Sequence, residues 1–277
     1  MTFCALSSAK GMDIKMNEEN LRILANYYAD KKCNAFSLAK QYHVNSKLSV
    51  ELTEESIIQA SPLVMNKNFS RTIRRSEKNY PLSEKVKLPS VEGLEKSLYE
   101  CIINRKSHNN KTASPELTLK EISALCWAGY GITDKEGMRH SVPSAGALYP
   151  CELYIISKNS KLQEGLYHYT SFHHCLVKIK TERVNLDKLF TSTIGLENAS
   201  IVFIITAVFD RAFFKYGERA YRFIMIESGE MIQNISLAAT SLGYDATAHG
   251  GTADYELEEF IEIDGISESV LVAVGIS

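Results

Sequence analysis

Two stretches of the 277-residue chain carry residue types suited to binding chemistry. Arg105-Lys106-Ser107 sets two cations and a hydroxyl side by side. Guanidinium and ammonium offer charge-assisted donors and serine a neutral one, a combination that can hold a phosphate. Cations at a helix C-terminus also complement the helix dipole with no ligand at all, so both readings stay open. The second stretch, Ser141-Val142-Pro143-Ser144-Ala145-Gly146-Ala147-Leu148-Tyr149-Pro150, is rich in small residues. A flat ligand can approach such backbone, and Pro143 can open a helical turn whose free N–H groups favour anionic or electron-rich atoms. The same residues also suit a tight connection into a strand. Neither stretch has the spacing of a Walker loop or of G-x-G-x-x-G. Phe213-Phe214-Lys215-Tyr216 reads, on residue type alone, as a snorkelling lysine beside aromatics at a core edge.

Metal and disulfide chemistry have little support. Cys4, Cys33, Cys101, Cys126, Cys151 and Cys175 lie far apart with no C-x-x-C, and are read as reduced core thiols. His173 and His174 are adjacent, so on a strand they point apart, and no carboxylate stands at ligand spacing. They are read as structural or solvated, and no metal is expected.

The elements that must position these residues follow from periodicity and caps. Asn17, followed by Glu18 and Glu19, can cap a helix bearing Leu21, Leu24, Tyr27 and Tyr28, and a second short helix is expected over 36–42. Residues 37–44 have the look of a helix-turn-helix, which raises DNA binding. The local charges speak against it, because Arg22, Lys31, Lys32, Lys40 and Lys47 are balanced by Glu18, Glu19, Asp30, Glu51, Glu54 and Glu55. Residues 1–65 are therefore read as a small helical module for dimerisation or docking. Residues 66–90 carry Lys67, Arg71, Arg74, Arg75, Lys78, Lys85 and Lys87 against only Glu77 and Glu84, with Pro81 and Pro89. This is an extended basic connector, either a solvated linker or a lane for an acidic peptide.

Residues 91–277 have the regular pattern of a folded domain. Ser90 is expected to cap a helix with Leu94, Leu98, Cys101 and Ile102 on its inner face, ending near residues 105–107. Thr118 and Glu121 form a capping box for a second helix, with Ile122, Leu125, Cys126 and Gly129 on one side. After a loop at 131–142, strands are expected at 151–157, 166–169, 175–179 and 201–208. One long helical stretch over 210–242, a turn at Gly250-Gly251, a short helix at 255–261 and a strand at 270–276 complete the pattern. Intermixed helices and hairpin-like strand pairs predict an α+β fold rather than a doubly wound sheet.

Composition narrows the function class. The chain is 45% hydrophobic and 23% charged, the profile of an ordinary folded protein. With 31 basic against 33 acidic residues the formal net charge is -2, so no global field draws it to nucleic acid or an anionic membrane. The longest apolar runs are strand-length, and residues 1–10 lack a basic n-region, so neither a membrane span nor a secretory signal is expected and the chain is read as cytoplasmic.

Residues 141–154, SVPSAGALYPCELY, closely resemble the signature of the SagB-type branch of the nitroreductase superfamily. Other blocks agree in order: Asn104-Arg105-Lys106-Ser107, residues 125–131 (LCWAGYG), residues 165–169 (GLYHY), Tyr221-Arg222, Glu227-Ser228-Gly229, Gln233-Asn234 and Gly250-Gly251. The resemblance covers roughly residues 90–277. It implies a homodimer of α+β subunits, each with a central, mostly antiparallel sheet flanked by helices, and FMN at the subunit interface. Carried over by residue, Arg105, Lys106 and Ser107 contact the phosphate and ribityl chain, and Pro143, Ser144 and Gly146 lie along the isoalloxazine. Gly250 and Gly251 close the site with His249 beside them. Lys106 and His108 stand where many relatives have arginine, and lysine lacks the bidentate fork.

Phe213-Phe214-Lys215-Tyr216 resembles the Lys-Tyr pair of the azoline oxidases of thiazole/oxazole-modified peptide pathways. The resemblance makes Lys215 and Tyr216 catalytic. Aromatising an azoline removes a hydride and a proton, which the flavin and a nearby base accept. Lysine serves as that base when desolvation or a neighbouring cation lowers its pKa, and Phe213 and Phe214 are expected to provide the apolar setting. The implied partners are a ribosomally made precursor peptide, a YcaO-type cyclodehydratase and its E1-like or fused precursor-recognition protein. Two rival functions share the sequence features: an NAD(P)H-dependent nitro- or quinone reductase, and a non-catalytic flavin-binding assembly subunit of a biosynthetic complex.

Overall fold

The computed structural model describes residues 38–47, 77–107, 115–134, 136 and 138–277. The chain divides into two compact units, Met1–Leu48 and Ser49–Ser277. In the first, helix α1 (Leu38–Asn45) ends where the Ser46 hydroxyl donates to the Tyr42 carbonyl. This is the short helix expected over 36–42, set further along the chain. The helix expected after Asn17 lies outside the described residues, as do residues 66–76 and His108.

The second unit is built on a seven-stranded sheet whose strands pair antiparallel throughout. In chain order the strands are β1 (Lys85–Lys87), a separate small hairpin of β2 (Ile132–Asp134) and β3 (Arg139–His140), then β4 (Cys151–Ser157), β5 (Gly165–Thr170), β6 (Cys175–Lys180), β7 (Ile201–Val208), β8 (Ala246–His249) and β9 (Glu268–Ile276). The sheet order is β1-β6-β5-β4-β7-β9-β8. The helices are α2 (Leu98–Asn104), α3 (Leu119–Tyr130), α4 (Asp210–Tyr216), α5 (Ala220–Leu242) and α6 (Asp254–Ile261). This is the expected α+β architecture, a central antiparallel sheet flanked by helices.

Side chains alternate between the two faces of a strand. One face offers Leu153, Ile155, Tyr167, Phe203 and Ile205 to α3 and α5 through Ile122, Leu125, Ile224, Met231 and Ile235. The other offers Tyr154, Ile156, Leu166, Val202 and Ile204 to Phe190 and to Leu257 and Ile261 of α6. Because both faces are covered, β4 and most of β7 are buried along their length, and their sequences are largely apolar.

Four expectations change in detail. Ser90 caps no helix; the cap is Ser97, whose hydroxyl accepts from the Glu100 N–H while Glu100 reaches back, so α2 starts at Leu98. Only Cys101 of its expected inner face is buried there, whereas Leu98 and Ile102 are exposed. The 210–242 stretch is broken between α4 and α5 at Gly217, whose φ of 51° and ψ of -145° suit glycine alone. The loop at 131–142 holds the β2–β3 hairpin. In the described part of the basic connector, Lys85–Lys87 forms the edge strand beside β6, and Lys78 is half-buried in an ion pair with Glu268, so this part is docked rather than solvated.

Candidate active site

The site lies at the end of the sheet where β4 begins and β7 leaves, since Cys151 pairs with Ala207. From β7 the chain turns through Phe209 into α4. That helix has seven residues and no side-chain N-cap. Ala212 is buried, and Phe213 packs inward on Phe209 with ring centroids 5.7 Å apart. Lys215 and Tyr216 occupy its last turn, where a cation also complements the helix dipole. The Tyr216 ring sits edge-on to Phe223 of α5 at 5.1 Å, and the Lys215 ammonium lies 5.1 Å from the Tyr216 ring centre. Phe214 is exposed and Phe213 faces the core, so the amine's close neighbours are the Tyr216 ring and the loop opposite.

That loop is the small-residue stretch. A single 3-10 turn, Ala145–Ala147, follows Ser144, and three residues of the loop are left-handed: Gly146 at φ 64°, Ala147 at 55° and Tyr149 at 48°. Left-handed backbone costs a non-glycine residue about 1–2 kcal/mol, so the surroundings must hold this shape in place. They do so from below. The Ser144 hydroxyl accepts from the Tyr149 N–H at 2.9 Å and hydrogen-bonds Glu227 of α5, which also accepts from the Tyr130 hydroxyl at 2.8 Å and from the Cys151 N–H. Burial pushes the Glu227 carboxyl up to about 7, with the hydrogen bonds opposing and Glu230 adding to the rise. The Asn234 amide donates to the Ser141 carbonyl, and His140 stacks on Tyr149 at 4.1 Å. Burial lowers the His140 pKa to about 4.

Loop and helix meet at Gly146. A Cβ there would lie 2.6 Å from Lys215 Nζ and 2.6 Å from Tyr216 Oη, so both polar tips converge on one glycine. Gly146 is itself exposed, which leaves its outer side open to a ligand. Flat-ligand contact is a use that an exposed, side-chain-free backbone beside two polar tips allows.

His249, Gly250 and Gly251 form a second cluster, at the end of edge strand β8 and just beyond it. His249 pairs with Ala273, which pairs with Ile204 of β7, and the chain beyond it continues toward the end where α4 begins. Its Nε2 is buried without a hydrogen-bond partner among the described residues. A Cβ on Gly251 would stand 2.9 Å from Thr191 Oγ1 and 3.1 Å from that nitrogen, so the position is shaped for glycine. Arg105 ends α2, and Lys106 and Ser107 are exposed beyond it. Among the described residues no hydrogen bond or ion pair joins these three to the loop, to α4 or to Gly251. Pro143 is exposed and Ser144 half-buried in the loop.

Glu227, Tyr130 and Glu152 stand within the blocks that carry the resemblance, but neither they nor Arg211 drew a role at the site from sequence alone. One signal was available for Glu227: it falls in step with Ile224, Met231 and Ile235 on the buried stripe of α5. Glu152 is likewise an acid inside a largely apolar, fully buried strand.

Residues 102–276 match the Nitroreductase family, and the chain belongs to that family. This agrees with the ordered blocks seen in the sequence. Over 181 residues, 64% of this chain and 89% of the relative, it is 36% identical to the protein MJ1384 of Methanocaldococcus jannaschii. Over 250 residues, 86% of this chain and 88% of the relative, it is 25% identical to the microcin B17-processing protein McbC of Escherichia coli. Among solved structures, its fold matches a chain of the E. coli microcin synthetase McbBCD complex with truncated pro-MccB17 bound, at a TM-score of 0.53 and 20% identity over 92% of this chain and 96% of that one. No helix among the described residues is long and apolar enough to cross a membrane.

Proposed function

We propose that this protein is an FMN-dependent dehydrogenase of the SagB-type branch that oxidises thiazoline or oxazoline rings in a ribosomally made peptide to the corresponding azoles. The observation that carries the reading is the convergence of Lys215 Nζ and Tyr216 Oη on exposed Gly146. The likeness to McbC, a protein named for microcin B17 processing, supports a peptide substrate. The McbBCD complex, which holds a truncated pro-peptide, supports partnership with a cyclodehydratase.

When bound, FMN supplies the acceptor for the hydride that leaves one azoline carbon. The chain's residues do the rest. Pro143, Ser144 and Gly146 line the flat ring with backbone. Arg105, Lys106 and Ser107 hold the phosphate end, and His249, with its unsatisfied Nε2, closes the site with Gly250 and Gly251. Lys215 and Tyr216 stand over Gly146, so a substrate ring laid there meets both tips. The proton on the carbon adjacent to the hydride donor passes to this pair, one tip taking it while the other orients it. The glycine is required because any larger residue would occupy the place of that contact.

The working unit is a homodimer with FMN at the subunit interface. Leu98, Tyr99, Ile102 and Ile103 of α2 and Ile226 of α5 are exposed apolar side chains, the kind of surface a second copy covers. A YcaO-type cyclodehydratase with its E1-like or fused precursor-recognition partner makes the azoline in the cytoplasm, and oxygen would serve as the terminal oxidant. The test is the visible spectrum of purified protein, with synthetic azoline peptide then added in air. Flavin bands that bleach and recover as azole forms support the reading, with Lys215→Ala retaining flavin but forming no azole. Bands that ignore azoline and bleach with NAD(P)H would make it a nitro- or quinone reductase. Unchanged product after flavin removal would leave an assembly subunit.

A further inference from the structure

Behind the loop and α4 lies a cluster of charged side chains that the proposed chemistry does not use. Glu152, the second residue of β4, is buried. Its Oε2 is 2.7 Å from Nε2 of fully buried His168 on β5, and its Oε1 is 2.6 Å from the Arg211 guanidinium on α4. Burial works to raise the Glu152 carboxyl, but the charges of His168 and Arg211 outweigh it and hold the group at about 2. The other arm of the guanidinium points at the Tyr149 carbonyl, 3.5 Å away. Arg211 therefore bridges the sheet, the end of the glycine loop and the helix that carries Lys215, one turn further on.

Such a bridge matters because α4 is weakly held by its own structure. Seven residues without a side-chain cap do not sustain a helix alone, and Gly217 separates α4 from α5. Apolar anchors at Ala212 and Phe213 fix its depth, while a two-armed guanidinium can also fix its rotation. Buried ion pairs are often replaceable by apolar residues without loss of stability, so stability alone gives little reason for charge at this point.

We propose that the Glu152–Arg211 pair, seated on His168, is the positioning device that keeps Lys215 and Tyr216 over Gly146. The proposal rests on the reading of Lys215 and Tyr216 as the proton-accepting pair. Removing one partner would leave an uncompensated buried charge and risk misfolding, so the decisive variant removes both, Glu152→Gln with Arg211→Met. Arg211→Lys keeps the charge but has no second arm for the Tyr149 carbonyl.

Two readouts separate positioning from a merely structural role. The first is kcat and KM for azoline peptide, counted per flavin-loaded site. The expected result for the double variant is a fall in kcat on the order of 10–100-fold, the effect of a shift near 1 Å in a catalytic group, with KM within about twofold and Arg211→Lys intermediate. The second is the acylation rate of Lys215 by a small amine-reactive ester on the protein as purified, followed by peptide mass spectrometry. It is expected to change several-fold while the other lysines keep their rates. If either quantity stays within about twofold of wild type, the positioning role is overturned. If wild-type protein forms no azole, the functional reading fails, and the acylation rate alone then decides whether the pair positions Lys215.

Discussion

Replacing Gly146 with alanine tests the arrangement at its narrowest point. The backbone there has φ 64°, where alanine is disfavoured by about 1–2 kcal/mol. In a protein of this size that is a melting-temperature loss of about 2–4 °C per kcal/mol. The added methyl would lie 2.6 Å from both Lys215 Nζ and Tyr216 Oη, against an optimal non-bonded separation of about 3.5–4 Å. Each tip must therefore retreat by about 1 Å. Both are the ends of long side chains, so they can move without disturbing the core. A misplacement of about 1 Å in a reacting group costs on the order of 100-fold in rate. Gly146→Ala should thus fold, melt slightly early and, counted per bound flavin, form azole about 100-fold more slowly, measured by mass loss of two hydrogens from an azoline peptide. Gly243→Ala is the control: φ is 89° there, and a Cβ meets nothing within 4 Å. It should show the melting loss at full activity. A Gly146→Ala protein that works at the wild-type rate would refute the idea that this glycine makes room for the pair.

Other expectations concern stability and are read by thermal melts. Glu227, raised in the fold to about 7 from 4.5, loses its proton first in the unfolded chain, so its stabilising contribution is lost as pH rises from about 4.5 to 7. Glu227→Gln should flatten that limb, which amounts to a few kcal/mol at one pKa unit per about 1.4 kcal/mol. His140 and Glu152 act in the opposite sense, because both pKa values are lowered. The His140 contribution is present above 6.5 and lost toward 4, and that of Glu152 is present above 4.5 and lost toward 2, so His140→Phe should remove the first acid limb and leave the second. Thr118→Ala, which dismantles the capping box of α3, should cost about 1 kcal/mol. At Gly129 a Cβ would sit 2.8 Å from Ile235, where α3 crosses α5, so Gly129→Ala should cost about 1–3 kcal/mol through overpacking.

The sheet was legible because its buried strands are apolar and bounded by turn residues. The strand limits at 151–157 and 201–208 agree with β4 and β7 residue for residue. Helix boundaries were harder where two caps compete: Ser90 and Ser97 are both serines ahead of apolar residues, but only Ser97 has an acid three positions on. The break at Gly217 was hidden because one glycine within a helical pattern is a weak signal, and here its backbone angles rather than its composition end the helix. The chemical stretches were visible as residue types, and Lys215, Tyr216 and Gly146 do come together. What supports them was not visible, because it is assembled from β4, β5, α3, α4 and α5. Arg211 and Glu152 lie 59 positions apart, and Tyr130 and Glu227 lie 97 apart, so no local pattern connects them.

The glycine break between α4 and α5 also bears on how such a protein can change. Because Gly217 turns the backbone through angles that no continuous helix shares, the segment from Asp210 to Tyr216 forms a short cassette between β7 and α5. Its side chains can be exchanged without re-registering the 23 residues of α5 against the sheet. A lineage could gain or lose the Lys-Tyr pair by altering one turn of helix while keeping the binding frame, and so move between reaction types on an unchanged scaffold.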